Sequence, residues 1–401
     1  MNKNVFSLIP VCSLIGLFNV AMDVDVAKAA FVGPIFYGDA PDAHHPWAVH
    51  DGNRPQPKLV TAGTFSSQEQ PGKPPSDAIV LFDGTDLSHW VADDGKPTKW
   101  IAKDGAMECV PKSGYIRTKE SFGDCQLHVE WAAPTKVEGE SQGRGNSGVF
   151  LMGLVEVQVL DNYNNPTYPD GSAASVYGVN PPMANALRPP GQFQVYDIIF
   201  RRPIYKDGQA VDPGYVTVFE NGVLVQDHTM LEGGTGHMTR AKPGPFPEKG
   251  PLQLQDHGNP VRYRNIWYRP LPPRQVEGGT DGYLTTEATM AKRKEIAAAL
   301  RADAGKLKGS GNNNMRELLK LAESLEYEKD DGTLHQVESM SGDYVSNLKK
   351  LSGSELEGKK DEAKRLRDAL RFLAKFNAIP GDFTPKKELD QIVKDHNWDK
   401  R

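Results

Sequence analysis

The sequence lacks a long basic run, a strong net charge and an apolar stretch long enough to span a membrane. Its formal net charge is -5 over 401 residues, whereas proteins that act mainly on nucleic acid carry a basic patch or stripe. The N-terminal apolar stretch from Val5 to Val20 is interrupted by Pro10. It is also shorter than the about 20 residues that a transmembrane helix needs. We therefore expect no nucleic acid partner and no stable membrane span.

The N-terminus instead has the three parts of a secretory signal peptide. Lys3 precedes the apolar stretch, and the small-residue pattern Ala27-Lys28-Ala29 follows it. A positive charge, a short apolar segment and a cleavage site with small residues identify such a signal. We predict that residues 1–29 are removed on export, and that the mature protein is periplasmic or extracellular.

Cysteine is scarce, with three residues in the chain, and Cys12 lies within the predicted signal. Cys109 and Cys125 remain after processing. Exported proteins meet an oxidising compartment, in which neighbouring cysteines commonly pair. We predict a disulfide between Cys109 and Cys125, and the alternative is a pair of buried free thiols.

The composition changes twice along the chain, which is long enough for two domains. Residues 30–76 are rich in Pro, Gly, Asp and His and have no sustained periodicity, which is typical of an extended arm or linker. Residues 77–272 consist of short alternating apolar and polar runs. Residues 285–401 have apolar positions at helical spacing, such as Leu366, Leu370 and Leu373.

The middle segment has the pattern of an all-β protein. Runs such as "CQLHVEWA", "VEVQVL", "QFQVYDIIF" and "YVTVFENGVLVQ" are divided by Gly, Asn, Asp and Pro. The Asn-Gly pair in "FENGVL" is typical of a tight hairpin because both residues accept a positive φ. Many short strands at this spacing predict an all-β jelly-roll sandwich, followed by a small C-terminal α-helical region.

One run, "EVQVLD", places two acids in an apolar strand. Side chains alternate faces along a strand, so Glu156 and Gln158 share one face and the neighbouring valines share the other. Asp161 is at an odd spacing from Glu156, and it reaches the same cleft only if a bulge intervenes or the strand ends first. Either Glu156 and Gln158 line a polar cleft, or these acids are merely solvated.

The order of several motifs resembles the 3-keto-disaccharide hydrolase domain, a bacterial family with a concanavalin A-like or laminarinase-like sandwich. The resemblance covers about residues 78–271. It rests on "LFDGTDLSHW", "LHVEW", "GRGNSGVFL", "VEVQVLD", "VTVFENGVLVQ" and "GPLQLQDHGNPVRYRNIWYRPL" in this order. The resemblance implies a carbohydrate substrate, and more specifically a glycoside that carries a ketone at C3.

Such a ketone acidifies the neighbouring C2 hydrogen, so one base can start an elimination that expels the C1 substituent, and water adds afterwards. This route needs a base, a group facing the enolate oxygen and an acid near the leaving group. Ordinary laminarinase-type enzymes use a pair of carboxylates about 5 Å apart. Here Gln158 stands at the middle acid position, which argues against a retaining mechanism.

Glu156 is the first candidate for the base or a metal ligand, and an ion pair with Arg144 is the alternative. Gln158 is expected to orient substrate hydroxyls, since an amide does not titrate near neutral pH. Arg144 and Asn146 lie in the glycine-rich "GRGNSG", which permits close approach to a substrate but equally suits a bulge.

Asp256 and His257 in "LQDHGN" are candidates for acid–base work, because His titrates near neutral pH and Asp orients its neighbours. The alternative is a turn capped by Asp256 and Asn259. Arg264 binds either the sugar or the cleft carboxylates. Trp131 either stacks on a sugar or fills the core.

A divalent metal ion, calcium or a transition metal, is a further possibility, although no compact ligand motif is present. Glu156, Asp161 and His228 supply the carboxylate and imidazole donors that such ions use. Together, the signal pattern and the family resemblance imply an exported carbohydrate-active enzyme that cleaves 3-keto-glycosides. A non-catalytic, lectin-like carbohydrate-binding module is the alternative, because one sandwich fold serves both classes.

Overall fold

The computed structural model describes residues 36–272, 274, 279, 280, 283–308 and 314–400. The predicted signal peptide lies outside them. The described chain forms two compact units. The first takes the described parts of 1–42, 46–55 and 292–401, and the second takes 43–45 and the described parts of 56–291.

The second unit is built on two antiparallel sheets. The larger has the order β13-β12-β9-β6-β15-β4-β3, with β1 also paired to β15. Its strands are β1 (Ile79–Phe82), β3 (Ile101–Lys103), β4 (Ala106–Glu108), β6 (Cys125–Ala132), β9 (Gln194–Arg201), β12 (Tyr215–Glu220), β13 (Val223–Met230) and β15 (Arg262–Pro270).

The smaller sheet has the order β2-β5-β14-β7-β8. Its strands are β2 (Trp90–Ala92), β5 (Ile116–Thr118), β7 (Ser147–Leu151), β8 (Val155–Val159) and β14 (Gln253–Leu254). Two short ribbons complete the described strands: β10 (Ile204–Lys206) with β11 (Gln209–Asp212), and β16 (Gly279–Thr280) with β17 (Tyr283–Leu284).

The core of this unit is formed by alternate side chains of the two sheets. On β8 the three valines are fully buried, and on β6 Leu127, Val129 and Trp131 join the same apolar cluster. Alternation with period two sends the intervening side chains to the outer faces. The predicted all-β jelly-roll sandwich with C-terminal helices is confirmed.

The first unit is helical. Its apolar cluster includes Leu366, Leu370 and Leu373, which stand at helical spacing in the sequence, together with Leu318 and Trp398. Among the described residues the chain forms α1 (Thr286–Leu307), α2 (Asn314–Tyr327), α3 (Asp331–Leu348), α4 (Gly353–Glu357), α5 (Lys360–Lys375) and α6 (Thr384–Asp395). None of the helices in the described part of the chain has the length and apolar character of a membrane span.

Residues 61–76 of the Pro/Gly-rich arm form a folded-back loop on the outer face of the larger sheet. Its two limbs are joined by Thr64 N–H to Lys73 O at 2.9 Å and by Ser76 N–H to Thr61 O at 3.0 Å. The Ser66 hydroxyl donates to the Glu130 carboxylate at 2.5 Å. This part of the arm is therefore an ordered cover of the sandwich.

The predicted disulfide is wrong: Cys109 and Cys125 are free, buried thiols. The Cys109 amide bonds to Val261 O, at the start of β15, whereas Cys125 pairs with Pro270 at its other end. Nine residue steps at roughly 3.3 Å each separate Val261 from Pro270 by about 30 Å. A disulfide needs Cα atoms within about 7 Å.

Candidate active site

The outer face of the smaller sheet carries Glu156 in the middle of β8. In the β7–β8 pairing Phe150 lies opposite Glu156. On the other edge of β8, Val157 pairs with Val176, and the Tyr177 amide donates to Glu156 O at 3.1 Å. Residues opposite each other in an antiparallel pair project to the same face. Phe150, Glu156 and Tyr177 therefore form a cross-strand row, and the surface around this row is called the cleft below.

The Glu156 side chain is 5% exposed, and it makes no ion pair or side-chain hydrogen bond within the described chain. It leans over Gly148, where an added Cβ would overlap Glu156 Oε1. Burial raises the pKa of Glu156 from its ordinary value to about 8. A buried, unpaired carboxyl with a pKa near neutrality is typical of a catalytic acid or base.

A second row lies beside the first. Gln158 pairs with Gly148, and the Gln255 amide bonds to Gly148 O at 3.1 Å. Gln255 Nε2 donates to the Tyr115 hydroxyl at 2.8 Å, and the Tyr115 ring lies 5.9 Å from the Phe150 ring. The face beside Glu156 therefore combines apolar rings with polar groups at fixed positions, as small-molecule binding sites do.

Gln158 is expected from the sequence to meet substrate, but the protein occupies its amide group. Its Nε2 donates to Gln142 Oε1 at 3.1 Å and to Gly171 O at 3.3 Å, and its Oε1 accepts from the Val159 amide at 3.1 Å. Gln158 thus fixes the loop of Gln142 beside the cleft. Its contribution to this face is structural order around Glu156.

The rim beside Glu156 carries a chain of hydrogen-bonded hydroxyl and imidazole groups. The hydroxyls of Tyr168 and Tyr177 lie 2.8 Å apart, and the Tyr177 hydroxyl lies 2.9 Å from His237 Nδ1. The rings of Tyr177 and His237 are stacked at 6.4 Å. Sequence reasoning missed these residues because no local motif marks them.

Asp161 and Arg144 pair with each other instead of lining the cleft. Arg144 Nε donates to Asp161 Oδ2 at 2.8 Å and Nη2 to Oδ1 at 3.2 Å. β8 ends at Val159, so Asp161 is past the strand, and the predicted alternation does not extend to it. The suggested Arg144–Glu156 ion pair is therefore wrong, and Asp161 is not free as a second acid.

Asn146 belongs to the same turn. Its Nδ2 donates to Gln142 O at 2.7 Å, and its amide N–H donates to Asn259 Oδ1 at 2.7 Å. Gly145, at a φ of +57°, packs against Asp161 and Ala133, where an added Cβ would crowd both side chains. The "GRGNSG" loop is accordingly a tightly bonded turn, and Asn146 at 1% exposure is buried within it.

Asp256 and His257 lie after β14 in a capped turn, as the alternative interpretation expected. Asp256 accepts hydrogen bonds from the Gly114 amide at 2.9 Å and the Gly258 amide at 2.8 Å. Burial opposes ionisation, but these amides hold the pKa of Asp256 below its usual range. His257 is exposed. No hydrogen bond or ion pair in the described structure joins Asp256 or His257 to Glu156, and their joint catalytic role stays a prediction.

Arg264 and Trp131 are also away from the cleft. Arg264 is 5% exposed on the larger sheet, where it donates to Glu130 Oε2 at 2.7 Å and lies 3.8 Å over the Phe193 ring. Trp131 is 1% exposed in the core and makes an edge contact with Tyr196. The predicted sugar contacts of both residues are wrong, because their strands turn these side chains toward other neighbours.

The three proposed metal ligands are not brought together. Asp161 is bound by Arg144, and His228 lies on β13 of the larger sheet, where it stacks on Tyr215 at 3.7 Å. Across the described ranges no group of three His, Cys, Asp or Glu side chains could hold an ion. The residues present do not fit the metal site that Glu156, Asp161 and His228 suggested.

Comparisons with known proteins agree with the sandwich and its carbohydrate character. Residues 77–269 match a family model described as the 3-keto-alpha-glucoside-1,2-lyase-like domain. A solved structure of a candidate glycosyl hydrolase from Parabacteroides distasonis is 45% identical, with 54% of this chain and 93% of that chain covered and a TM-score of 0.52. Another from the same organism is 24% identical, with 48% and 99% covered and a TM-score of 0.36. No curated protein matches the chain.

Proposed function

Since this chain belongs to the 3-keto-alpha-glucoside-1,2-lyase-like domain family, we propose that it cleaves the glycosidic bond of sugars that carry a ketone at C3. Membership makes it a carbohydrate-active protein of the glycosyl hydrolase type. The observation that carries the finer proposal is the state of Glu156. It is buried and unpaired among the described residues, and its pKa is raised to about 8 beside aromatic and amide groups.

Glu156 is suited to remove the C2 proton of a 3-keto sugar. The ketone stabilises the resulting enolate, and the enolate electrons form the C1–C2 double bond as the C1–oxygen bond breaks. Water then adds at C1 and the proton returns to C2. A single base is enough for this sequence. Double displacement needs a second free carboxylate close by, but Asp161 is held by Arg144.

The raised pKa has a direct consequence for the rate. Below pH 8 most Glu156 carboxyls are protonated, so the fraction able to act as a base rises about tenfold with each pH unit. We expect kcat/KM to increase from pH 5 to about 8 and then to level off. A bell centred near pH 5 would mean that Glu156 is not the base.

The decisive experiment compares two substrates that differ only at C3. The full mature protein is incubated with a 3-keto-disaccharide and with the same disaccharide carrying a hydroxyl at C3, and the released sugar is measured. The elimination requires the ketone, so we expect turnover of the first substrate alone. Binding of both without release would instead indicate a lectin-like module, and equal cleavage of both would indicate ordinary glycosidase chemistry.

Glu156→Gln tests the assigned base. The change keeps the shape and removes the charge, so turnover should fall by roughly 10²- to 10⁴-fold, the usual worth of a general base. Glu220→Gln is the matched control. Glu220 is also buried, and burial raises its pKa to about 7. It lies on β12 of the larger sheet, however, and its carboxylate accepts a hydrogen bond from the Ala186 amide. Equal rates for Glu156→Gln and the wild type would overturn the assignment.

We also propose that the protein is exported. The support is the signal pattern of residues 1–29 in the sequence. N-terminal sequencing of the protein recovered outside the cytoplasm of its host should begin near Phe31. Recovery of the uncleaved chain in the cytoplasm alone would contradict export.

A further inference from the structure

Tyr177 lies directly across the strand pair from Glu156, at the rim of the cleft. We propose that Tyr177 is the acid that protonates the departing sugar, and that His237 supplies its proton. This inference rests on the proposed function and assigns the leaving-group half of the reaction. Its basis is the antiparallel register, in which the Val157–Val176 bridge places position 177 opposite position 156.

The register sets the reach of the two groups. Opposite residues of an antiparallel pair have Cβ atoms about 4.5 to 5.5 Å apart and project to the same face. The reaction needs its base at C2 and its acid at the oxygen on C1, which are adjacent positions of the sugar. A carboxylate and a phenol from one cross-strand pair match that requirement.

The surroundings of Tyr177 keep its proton in place. Burial, followed by the hydrogen bond with Tyr168, raises the pKa of the Tyr177 hydroxyl well above its usual range. Tyr177 therefore remains a proton donor wherever Glu156 is ionised. The two groups hold opposite protonation states, as an elimination with a poor leaving group requires.

The route from Tyr177 to solvent runs through His237. The Tyr177 ring is half-buried, whereas His237 and Tyr168 are exposed. His237 Nδ1 is 2.9 Å from the Tyr177 hydroxyl. An imidazole can take a proton from water on one ring nitrogen while it releases one from the other.

The proton and electron transfers balance as follows. Glu156 carboxylate takes H⁺ from C2, and the C2–H electron pair enters the enolate and then the C1–C2 bond. The C1–oxygen bond breaks, and the departing oxygen takes the hydroxyl proton of Tyr177. The phenolate takes the proton from His237 Nδ1, and a water molecule protonates the other ring nitrogen and becomes hydroxide. That hydroxide adds to C1 and the Glu156 proton returns to C2, which completes the hydrolysis and restores all three side chains.

The test compares two substrates, one whose leaving group must be protonated and one whose leaving group departs without a proton. Tyr177→Phe is assayed with a 3-keto-disaccharide and with a nitrophenyl 3-keto-glucoside, whose phenolate departs without a proton. We expect kcat to fall roughly 10²-fold or more on the disaccharide and less than about fivefold on the aryl substrate. His237→Asn should show the same selectivity with a smaller loss. Glu156→Gln should lose rate on both substrates.

Tyr215→Phe is the matched control, because Tyr215 also stacks on a histidine, His228, but lies on the larger sheet. Its rates should equal those of the wild type. An equal loss of Tyr177→Phe on both substrates, or no loss on either, would overturn the role of Tyr177 while the wild-type turnover preserves the proposed function. Absence of wild-type turnover on both 3-keto substrates would overturn the proposed function itself, and the acid role of Tyr177 with it. Thermal unfolding of Tyr177→Phe identifies any loss caused by misfolding.

Discussion

Arg144 and Asp161 form a two-pronged ion pair, with Nε to Oδ2 at 2.8 Å and Nη2 to Oδ1 at 3.2 Å, across seventeen residues of sequence. Their side chains are 14% and 4% exposed. A third bond, from Arg144 Nη2 to Tyr163 O at 2.9 Å, ties the pair to the loop after β8. The pair holds that loop together. It also engages the carboxylate of Asp161, the second acid of "EVQVLD".

Asp161→Asn should therefore destabilise the fold more than it slows turnover. Breaking one side of a buried ion pair costs about 3 kcal/mol or more, because the remaining charge is left uncompensated. We expect that loss in the free energy of unfolding by urea, with kcat reduced less than about tenfold. Asp303→Asn, in an exposed pair with Lys306, should cost under about 1 kcal/mol. If Asp161→Asn lost as much rate as Glu156→Gln, Asp161 would have to act as a second acid in the reaction.

The raised pKa of Glu156 also predicts a pH-dependent stability. A carboxyl whose pKa is about 8 in the folded state and about 4.5 in the unfolded state binds its proton more tightly when folded. Its contribution to stability is fully present below pH 4.5 and is lost as the pH rises to 8. Glu156→Gln should become more stable than the wild type over that range, by about 3 kcal/mol at pH 7. The difference is measured by urea unfolding, with the exposed Glu138→Gln as the flat control, and a constant difference would contradict it.

The contribution of His128 to the free energy of unfolding should depend on pH over a different range. Burial opposes its charge, but hydrogen bonds to Asp197 and Glu130 raise the pKa of His128 to about 9. Its stabilisation is thus present below pH 6.5 and is lost as the pH rises to 9. Replacement by Gln should cost on the order of 3 kcal/mol near pH 6 and much less at pH 9. The exposed His335→Gln should change nothing, and a cost for His128→Gln that is the same at both pH values would contradict the prediction.

Both buried thiols should be accessible to alkylation once the protein unfolds. The mature protein is denatured without a reductant, alkylated, digested and analysed by mass spectrometry. Because Cys109 and Cys125 lie at opposite ends of β15, each peptide should carry the alkyl label. A disulfide-linked peptide pair would show that the positions of these strands are wrong.

The folded-back loop of residues 61–76 should stabilise an isolated sandwich that keeps Arg274. Ser66 bonds to Glu130, and Arg274 bonds to Asp124 at 3.0 Å and Asp212 at 2.6 Å. A shortened chain of residues 56–274 should unfold cooperatively and keep its activity. Removing residues 56–76 as well should lower its melting temperature, because Glu130 loses a partner and becomes solvated. Equal melting temperatures would mean that the loop contributes nothing.

The strand alternation is a local property, and the sequence alone determined it. Val155, Val157 and Val159 had to face one side and Glu156 and Gln158 the other, since a strand repeats every two residues. Strand and helix periodicities also predicted the sandwich and the helical region, which are observed, and they made Glu156 the leading candidate for the site.

The partners of these side chains depended on the tertiary structure. Tyr177 is twenty-one residues beyond Glu156, and no local period predicts that the chain returns to pair with β8 at that register. Asp161 does not follow the alternation of β8 because the strand ends two residues earlier, at Val159. Its carboxylate instead pairs with Arg144. The cysteines are sixteen residues apart in sequence, yet β15 separates them. Local periodicity fixes the face of a strand that a residue occupies, but long-range strand pairing decides which residues meet there.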